Sequence, residues 1–541
     1  MGRFLEIVLD VPQSALHAWS VQHERSRRAR TAERLDAALV KALDEFPQAE
    51  RAERPDSPGA ESRSATRQTT STRFQQTEKM AEGGLQVMLE TSPDGRRVVV
   101  CQQKCYSPGV TAREILYEAP LDADTPVGSA FAAVPEEHRD LLADAGDLAP
   151  LTTLACKSDA WQWPAADGIV VDIVFDRFPA STGGDAAPAR ELRLTTPFAD
   201  NALGPSLTAL FAVACTLVAA LPAFPVLRRA FDRAYDATDP HDAAEPARAT
   251  AIDLAGIATP HAALIAIGHS LADQWFGNDA GVRDAVSTEF VHQMRISQRR
   301  LRTALRIFRH WEDDAWKTRI APDLKWLGTV LGNARDWDVF VDSTLPALAA
   351  ADTDGARWIT ICESADARRL EAREGVQTAM GSARYAQLAL VWLEWLSGLP
   401  SREPPEEAAD TSLRAYAQKR VRKYYKRLIS APKLTTLDES ARHKERIQAK
   451  YLRYTLEFFE SIASRKTRKE SAKTVARMQT VLGDGNDAAV ALRYLQQIDA
   501  PPYQSGFAQG WCEASKRYTA QEGERLLRRL RKPKITGGAG G

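Results

Sequence analysis

The segment HQMRISQRRLR, beginning at His292, returns as HKERIQAKYLR at His443, and LGNARD at Leu331 returns as LGDGND at Leu482. Both pairs are separated by the same 151 residues (292 to 443, 331 to 482). A repeat of this length requires two copies of one folding unit, so whatever the first copy builds the second must build again. From 251 to 531 the chain runs in long segments rich in Ala, Leu and Arg, with apolar residues at helical spacing and almost no strand signal. This predicts an all-helical domain with halves at 251–399 and 411–531, a linker at 400–410 and a flexible tail at 532–541.

Within the repeat, basic residues fall at intervals of three and four, a spacing that keeps them on one helix face. The first stripe is His292, Arg295, Arg299, Arg302, Arg306 and Arg309, and the second is His443, Arg446, Lys450 and Arg453. One position earlier runs an apolar stripe of Val291, Met294, Leu301, Leu305 and Phe308, broken only by Gln298. The two stripes are about 100° apart, so the charge sits beside the core instead of opposite it. A solvated charged face interleaves carboxylates at i,i+4, yet none occurs between Glu289 and Glu312. Like charges in a row, repeated in a second helix, call for an anion.

These motifs, both histidine helices and both Leu-Gly turns, resemble the CHAD domain, the conserved-histidine α-helical domain, over about 255–530. The resemblance implies two pseudo-symmetric four-helix bundles facing each other across a basic channel that binds inorganic polyphosphate, and association with polyphosphate granules and possible contact with other granule proteins. Arginine suits phosphate through planar multi-donor contacts, and lysine through a point charge. His292 and His443 would donate hydrogen bonds to phosphate, more strongly when protonated. Asp336 and Asp487 are expected to cap helices or anchor arginines, not to bind metal. Arg420, Arg422, Lys423 and Arg427, in QKRVRKYYKRL at 418–428, occupy the place where the family puts another phosphate-facing helix, with Lys419 and Lys426 competing for the same face. SRKTRKE at 464–470 reads as a solvated face, and the basic tail RLLRRLRKPK as either a solvated surface or an extension of the site.

The N-terminal region, 1–235, has a different texture. RFLEIVLDV, GLQVMLET, RRVVVCQQK, REILYEAPL, GIVVDIVFDRF and ARELRLTT are short and β-branched, several alternating with period two. They predict an antiparallel sheet or barrel with appended helices, interrupted by a disordered polar insertion at 49–72 and followed by a linker at 236–250. SLTALFAVACTLVAALPAFPVL, at 206–227, reads as a core helix. The region resembles a degenerate CYTH-type triphosphate-tunnel domain, giving an α+β domain ahead of the all-α one. The family's opening Glu-x-Glu-x-Lys reads EIVLD, keeping Glu6 but with Val8 and Asp10, and its Glu-Leu-Glu-Leu-Glu strand reads ELRLT, with Glu191, Arg193 and Thr195. Lys104, Arg233 and Tyr235 survive. A catalytic divalent cation needs several hard oxygen ligands, so the resemblance implies neither metal nor cofactor nor catalysis here.

Charge divides the same way. After residue 280, 45 Lys and Arg stand against 32 Asp and Glu, an excess of 13, and the first 280 residues carry the opposite excess. A polyanion partner therefore belongs to the C-terminal half. The six cysteines are too scattered for a metal framework and read as reduced thiols. The first residues lack the layout of a signal peptide, and the expectation is a cytoplasmic protein on polyphosphate granules, without membrane contact. The expected function is non-catalytic polyphosphate binding. The alternatives are a metal-dependent triphosphatase, disfavoured by the missing carboxylates, and a nucleic-acid binder, disfavoured because the first stripe has no interleaved aromatics for stacking. Nucleic acid is expected only as a competing polyanion.

Overall fold

A computed structural model describes residues 2–22, 31–52, 66–142, 145, 148–179, 188–199, 202–230 and 245–536. They form two compact units, one of 1–245 with 381–401 and one of 246–380 with 402–541.

The first unit is built on eight antiparallel strands: β1 Arg3–Asp10, β2 Arg67–Phe74, β3 Leu85–Ser92, β4 Gly95–Ser107, β5 Val110–Pro120, β6 Pro150–Pro164, β7 Val170–Phe178 and β8 Ala189–Pro197. They pair in the order β1-β5-β4-β3-β2-β6-β7-β8, and β8 returns to β1, closing the sheet into a barrel with no free edge. Short strands at Glu50–Arg51 and Phe224–Val226 add to β6 and β1. Outside the barrel lie α1 Gln13–Gln22, α2 Ala32–Asp44 and α3 Leu203–Ala220. The last is the predicted core helix, and it buries Leu207, Leu210, Phe211, Ala214, Leu217 and Val218.

Two strands escape a reading by apolar alternation. β2, RQTTSTRF, falls at the end of the stretch expected to be a disordered insertion, yet it pairs with β3 and β6 along its length. Its threonines suit a strand through β-branching although they carry little apolar surface. Residues 53–65 of that stretch, most of the 236–250 linker and Arg233 and Tyr235 lie outside the described residues.

The second unit carries the duplication. The first copy contributes α4 Pro260–Phe276, α5 Thr288–Ile307, α6 Ala321–Val339 and α7 Ile359–Met380. After α8 Ala383–Gly398, the second contributes α9 Leu413–Ile429, α10 Glu439–Phe458, α11 Ala472–Gln497 and α12 Pro502–Arg529. The offset of 151 residues recurs element by element: in both ends of α5 and α10, in the 3₁₀ turns Arg309–Trp311 and Glu460–Ile462, and in the π-helical turns Trp316–Ile320 and Thr467–Ser471. Aromatic contacts join the copies. Phe308 stacks on Tyr416 at 5.4 Å between ring centres, and Trp337 lies flat on Tyr494 at 4.0 Å. Arg300, fully buried, is held by Glu457 at 2.6 Å and Gln274 at 2.5 Å.

Several boundaries differ from the sequence reading. α8, expected in the first helical half, packs in the barrel unit because its Trp-rich, almost uncharged sequence suits the apolar face of α3, and the Tyr106 hydroxyl donates to the Ser397 carbonyl at 3.4 Å. The 400–410 linker contains a short helix, Glu406–Ala409, with Ala408 buried. The tail expected to be flexible is ordered to Thr536, and Ile535 bridges to Ala463. The two Leu-Gly segments, expected as turns, lie inside α6 and α11.

Candidate anion-binding face

The amphipathic reading of α5 holds at every position of the apolar stripe. Val291, Met294, Gln298, Leu301, Leu305 and Phe308 are all buried, whereas Arg302, Arg306 and Arg309 are exposed and His292, Arg295 and Arg299 half-buried. α10 repeats this beneath its own stripe, with Ala449, Leu452 and Leu456 buried.

The two stripes meet. Lys450 feels Arg446 on its own helix and Arg299 and Arg295 on α5, and burial together with these guanidiniums pushes its amine down to about 7, against the pull of Asp336. Arg446 is likewise lowered, first by burial and then by Arg299 and Arg295, with Asp487 opposing. Arg295 donates to the Gly332 carbonyl and pairs with Asp336 at 3.0 Å. Among the described residues Arg299, Arg446 and Lys450 have no carboxylate within ion-pair distance, and Nε of both Arg299 and Arg446 is buried without a hydrogen-bond partner. Four cations from two helices therefore share Asp336 and Asp487 as counter-charges. The aspartates lie within helices and cap nothing; Asp336 anchors an arginine.

The histidines differ. Burial, then Arg335, Arg299 and Arg295, push His292 below its usual range, opposed by Glu289. His443 is exposed and shares a 2.8 Å hydrogen bond between its Nδ1 and the Asn486 side-chain oxygen. Arg335 and Asn486 were missed in the sequence reading, although both lie 43 residues after their histidine and the repeat would have matched them.

Farther along, Arg302 donates to the Leu324 carbonyl with its guanidinium against Gly328, where a methyl group would collide with it. Its repeat partner Arg453 instead meets Gln479, the residue equivalent to Gly328, at 3.1 Å. Arg306 lies 4.6 Å above the Tyr451 ring. α9 brings a further group to this end: burial, then Arg427, Arg420, Arg309 and Arg306, lower Lys423. Arg420 is nearly buried and donates to the Tyr416 hydroxyl at 3.0 Å, so it lies beneath the face more than on it. Arg422 is exposed and absent from this group, because residues two apart on a helix point to nearly opposite sides, whereas 420, 423 and 427 share one. The face is thus a band of cations from α5, α9 and α10, able to hold several phosphate or sulfate groups in series.

In the barrel, EIVLD and ELRLT lie on neighbouring strands. The register sets Glu6 opposite Thr195, Val8 opposite Arg193 and Asp10 opposite Glu191, so the two altered motifs are direct neighbours. Arg113 lies 3.5 Å and Arg229 3.8 Å from Glu6, and Glu191 lies 3.6 Å from Arg229 and accepts from the Ala230 amide at 2.7 Å. Burial would raise the Glu6 carboxyl, but Arg113, Arg229 and Arg193 together hold it below its usual range. Arg193 pairs with Asp176 at 3.0 Å. Arginines thus lie at ion-pair distance from both carboxylates, while the two Glu6 oxygens accept no hydrogen bond; among the described residues no group of three His, Cys, Asp or Glu is placed to hold a metal. Lys104 is exposed, and none of the six cysteines forms a disulfide.

Residues 266–496 match the family model of the CHAD domain. Among solved structures, the chain is similar to the CHAD domain of the plant Ricinus communis, at 29% identity over 54% of this chain and 99% of that one, with a TM-score of 0.47. It is also similar to PptA from Streptomyces chartreusis, at 18% identity over 50% and 99%, with a TM-score of 0.40. A putative adenylyl cyclase from Hippeastrum, described as having a dominant triphosphatase activity, is 14% identical over 37% and 83%, with a TM-score of 0.23. No curated protein matches the chain.

The glycines give a test of this geometry. Gly483, the repeat equivalent of Gly332, has nothing within 4 Å of an added methyl group, so Gly483→Ala should stabilise the protein by about 1 kcal/mol through helix propensity. Gly328→Ala should gain distinctly less, because it expels Arg302 from the Leu324 carbonyl. Denaturant unfolding of both variants checks this, and equal gains would show that Arg302 is not held there.

Proposed function

We propose that the CHAD domain carried at residues 266–496 binds inorganic polyphosphate along the face shared by α5, α9 and α10, without catalysis, and that this binding places the protein on polyphosphate granules in the cytoplasm. The observation that carries the reading is the desolvated cluster of Arg295, Arg299, Arg446 and Lys450, drawn from both copies and short of counter-charge. A linear polyphosphate has one negative charge per phosphate and no bases, so charge density and spacing are all that a binder can read. Arg299 and Arg446 offer unpaired donors at the seam, and Arg302, Arg306 and Lys423 extend the track. Counterion release then dominates affinity, as it does for nucleic-acid backbones.

The barrel is proposed to be non-catalytic, because Glu6 and Glu191 lie at ion-pair distance from Arg113 and Arg229, which leaves too few hard oxygen ligands for a catalytic cation. Metal-dependent release of phosphate from tripolyphosphate that Glu6→Gln abolishes would contradict this.

The binding reading is tested by pairs of substitutions in the full chain. Arg295→Ala with Arg299→Ala, and Arg446→Ala with Lys450→Ala, should each weaken polyphosphate binding and flatten the dependence of log K on log salt by about 0.7 per lost contact, the single-strand value. Folded variants, checked by circular dichroism, that keep wild-type affinity and slope would reduce the stripes to a solvated face.

A further inference from the structure

Two basic runs left unused by this site meet at the far end of the second copy. One is SRKTRKESAK at 464–473, and the other is RRLRKPK at 528–534. The sequence separates them, but the backbone joins them. Ala463 and Ile535 form an antiparallel bridge, and the Ser464 amide donates to the Lys534 carbonyl at 3.0 Å. The Thr467 hydroxyl donates to the same carbonyl at 3.1 Å and accepts from the Lys534 amide at 2.8 Å, while the Ser471 hydroxyl donates to the Arg531 carbonyl at 3.1 Å. Thr467 and Ser471 are thereby buried, leaving the charged residues between and beside them outward. Arg465, Lys466, Arg468 and Lys469 from the turn, with Lys532 and Lys534 from the tail, are exposed, and among the described residues none has an ion-pair partner. Arg531 and Glu470 pair with each other at 3.3 Å, the acidic residue in the first run already being matched.

The duplication supplies an internal control. The first copy builds the same π-helical turn at Trp316–Ile320, preceded there by Glu312, Asp313 and Asp314. In the second copy the corresponding residues are Ala463, Ser464 and Arg465. The turn therefore folds with acidic residues before it as readily as with basic ones, and the positive charge of the second copy is not a requirement of the fold. Neither run contains an aromatic residue, and Leu530 and Ile535 are buried, so the surface offers no platform for stacked bases and no apolar anchor for a peptide helix. It offers cations alone, which suits a polymer recognised by charge density.

We propose that this surface is a second polyphosphate-docking site, separate from the paired stripes, so that one long chain engages both. This rests on the reading that the stripes bind polyphosphate. Lys450 stands eight residues before the end of α10 at Phe458, about 12 Å along the helix, and the basic turn follows just beyond. Occupying the first site would hold the rest of a long chain at high local concentration beside the second, a gain that a short chain cannot make.

The test compares tripolyphosphate with long-chain polyphosphate on the full protein. The variant Arg465→Gln, Lys466→Gln, Arg468→Gln, Lys469→Gln removes four exposed, unpaired charges, and its fold is checked by circular dichroism. Its affinity for tripolyphosphate should equal wild type, while its affinity for the long chain should fall about tenfold or more as the avidity is lost. Lys532→Gln with Lys534→Gln should lose long-chain affinity in the same direction, and it stands in if the fourfold variant fails to fold. An unchanged ratio of long-chain to short-chain affinity overturns the second site while leaving the first. Loss of single-stranded RNA binding with long-chain polyphosphate binding intact also overturns it, in favour of nucleic acid. Wild-type protein that binds neither polyphosphate sinks the underlying reading itself.

Discussion

Bringing like charges together out of water is the constraint on which the helical unit turns. Each desolvated ion costs on the order of several kcal/mol unless a partner restores what water supplied, and Arg299, Arg446 and Lys450 face one another with Asp336 and Asp487 as shared compensation. Such a seam persists only if something else holds the two copies together. The stacking of Phe308 on Tyr416 and of Trp337 on Tyr494 does so, together with Arg300 locked to Glu457 and Gln274. The apolar stripe of α5 fixes the helix against the core, and the neighbouring cationic stripe then has one direction in which to point. Core packing positions the charge, and Asp336 and Asp487 are the counter-charges it shares.

Duplication explains the alignment of the stripes, and the two copies differ at particular residues along them. Gly328 admits the Arg302 guanidinium against the α6 backbone, while Gln479 holds Arg453 by its side chain. Arg335 adds positive charge beside His292, where Asn486 gives His443 a neutral partner. Acidic residues precede the π-helical turn of the first copy, and the second carries a basic run there. In the barrel, Glu6 and Glu191 lie at ion-pair distance from arginines.

Much of this was legible in the sequence, for identifiable reasons. The repeat gave both copies, helical spacing gave the stripes, and β-branched alternation gave six of the eight barrel strands. The rest depends on tertiary context. β2 is polar enough to read as a loop, and only pairing on both sides makes it a strand. β6 alternates weakly over a long span. The Leu-Gly segments read as turns because glycine usually breaks helices, yet within α6 two glycines provide the clearance that arginine side chains need. Arg422 was grouped with its neighbours through the family resemblance, and helix geometry separates it. Lys450 is written in the sequence as one more basic residue; its weakened hold on its proton comes from burial and from arginines on its own helix and on α5.

That lysine offers the most direct measurement. Its amine sits at about 7 because burial and the guanidiniums of Arg446, Arg299 and Arg295 oppose its charge. At pH 8 it is mostly neutral in the free protein, and a bound polyanion that neutralises the arginines returns it toward its ordinary value of about 10.4. Calorimetric titration with tripolyphosphate at pH 8, in buffers of different ionisation enthalpy, should therefore show uptake of close to one proton per site, and Lys450→Arg should still bind while the uptake disappears. Binding without proton uptake, or uptake that survives in Lys450→Arg, would show that the anion does not sit at the seam between the two copies.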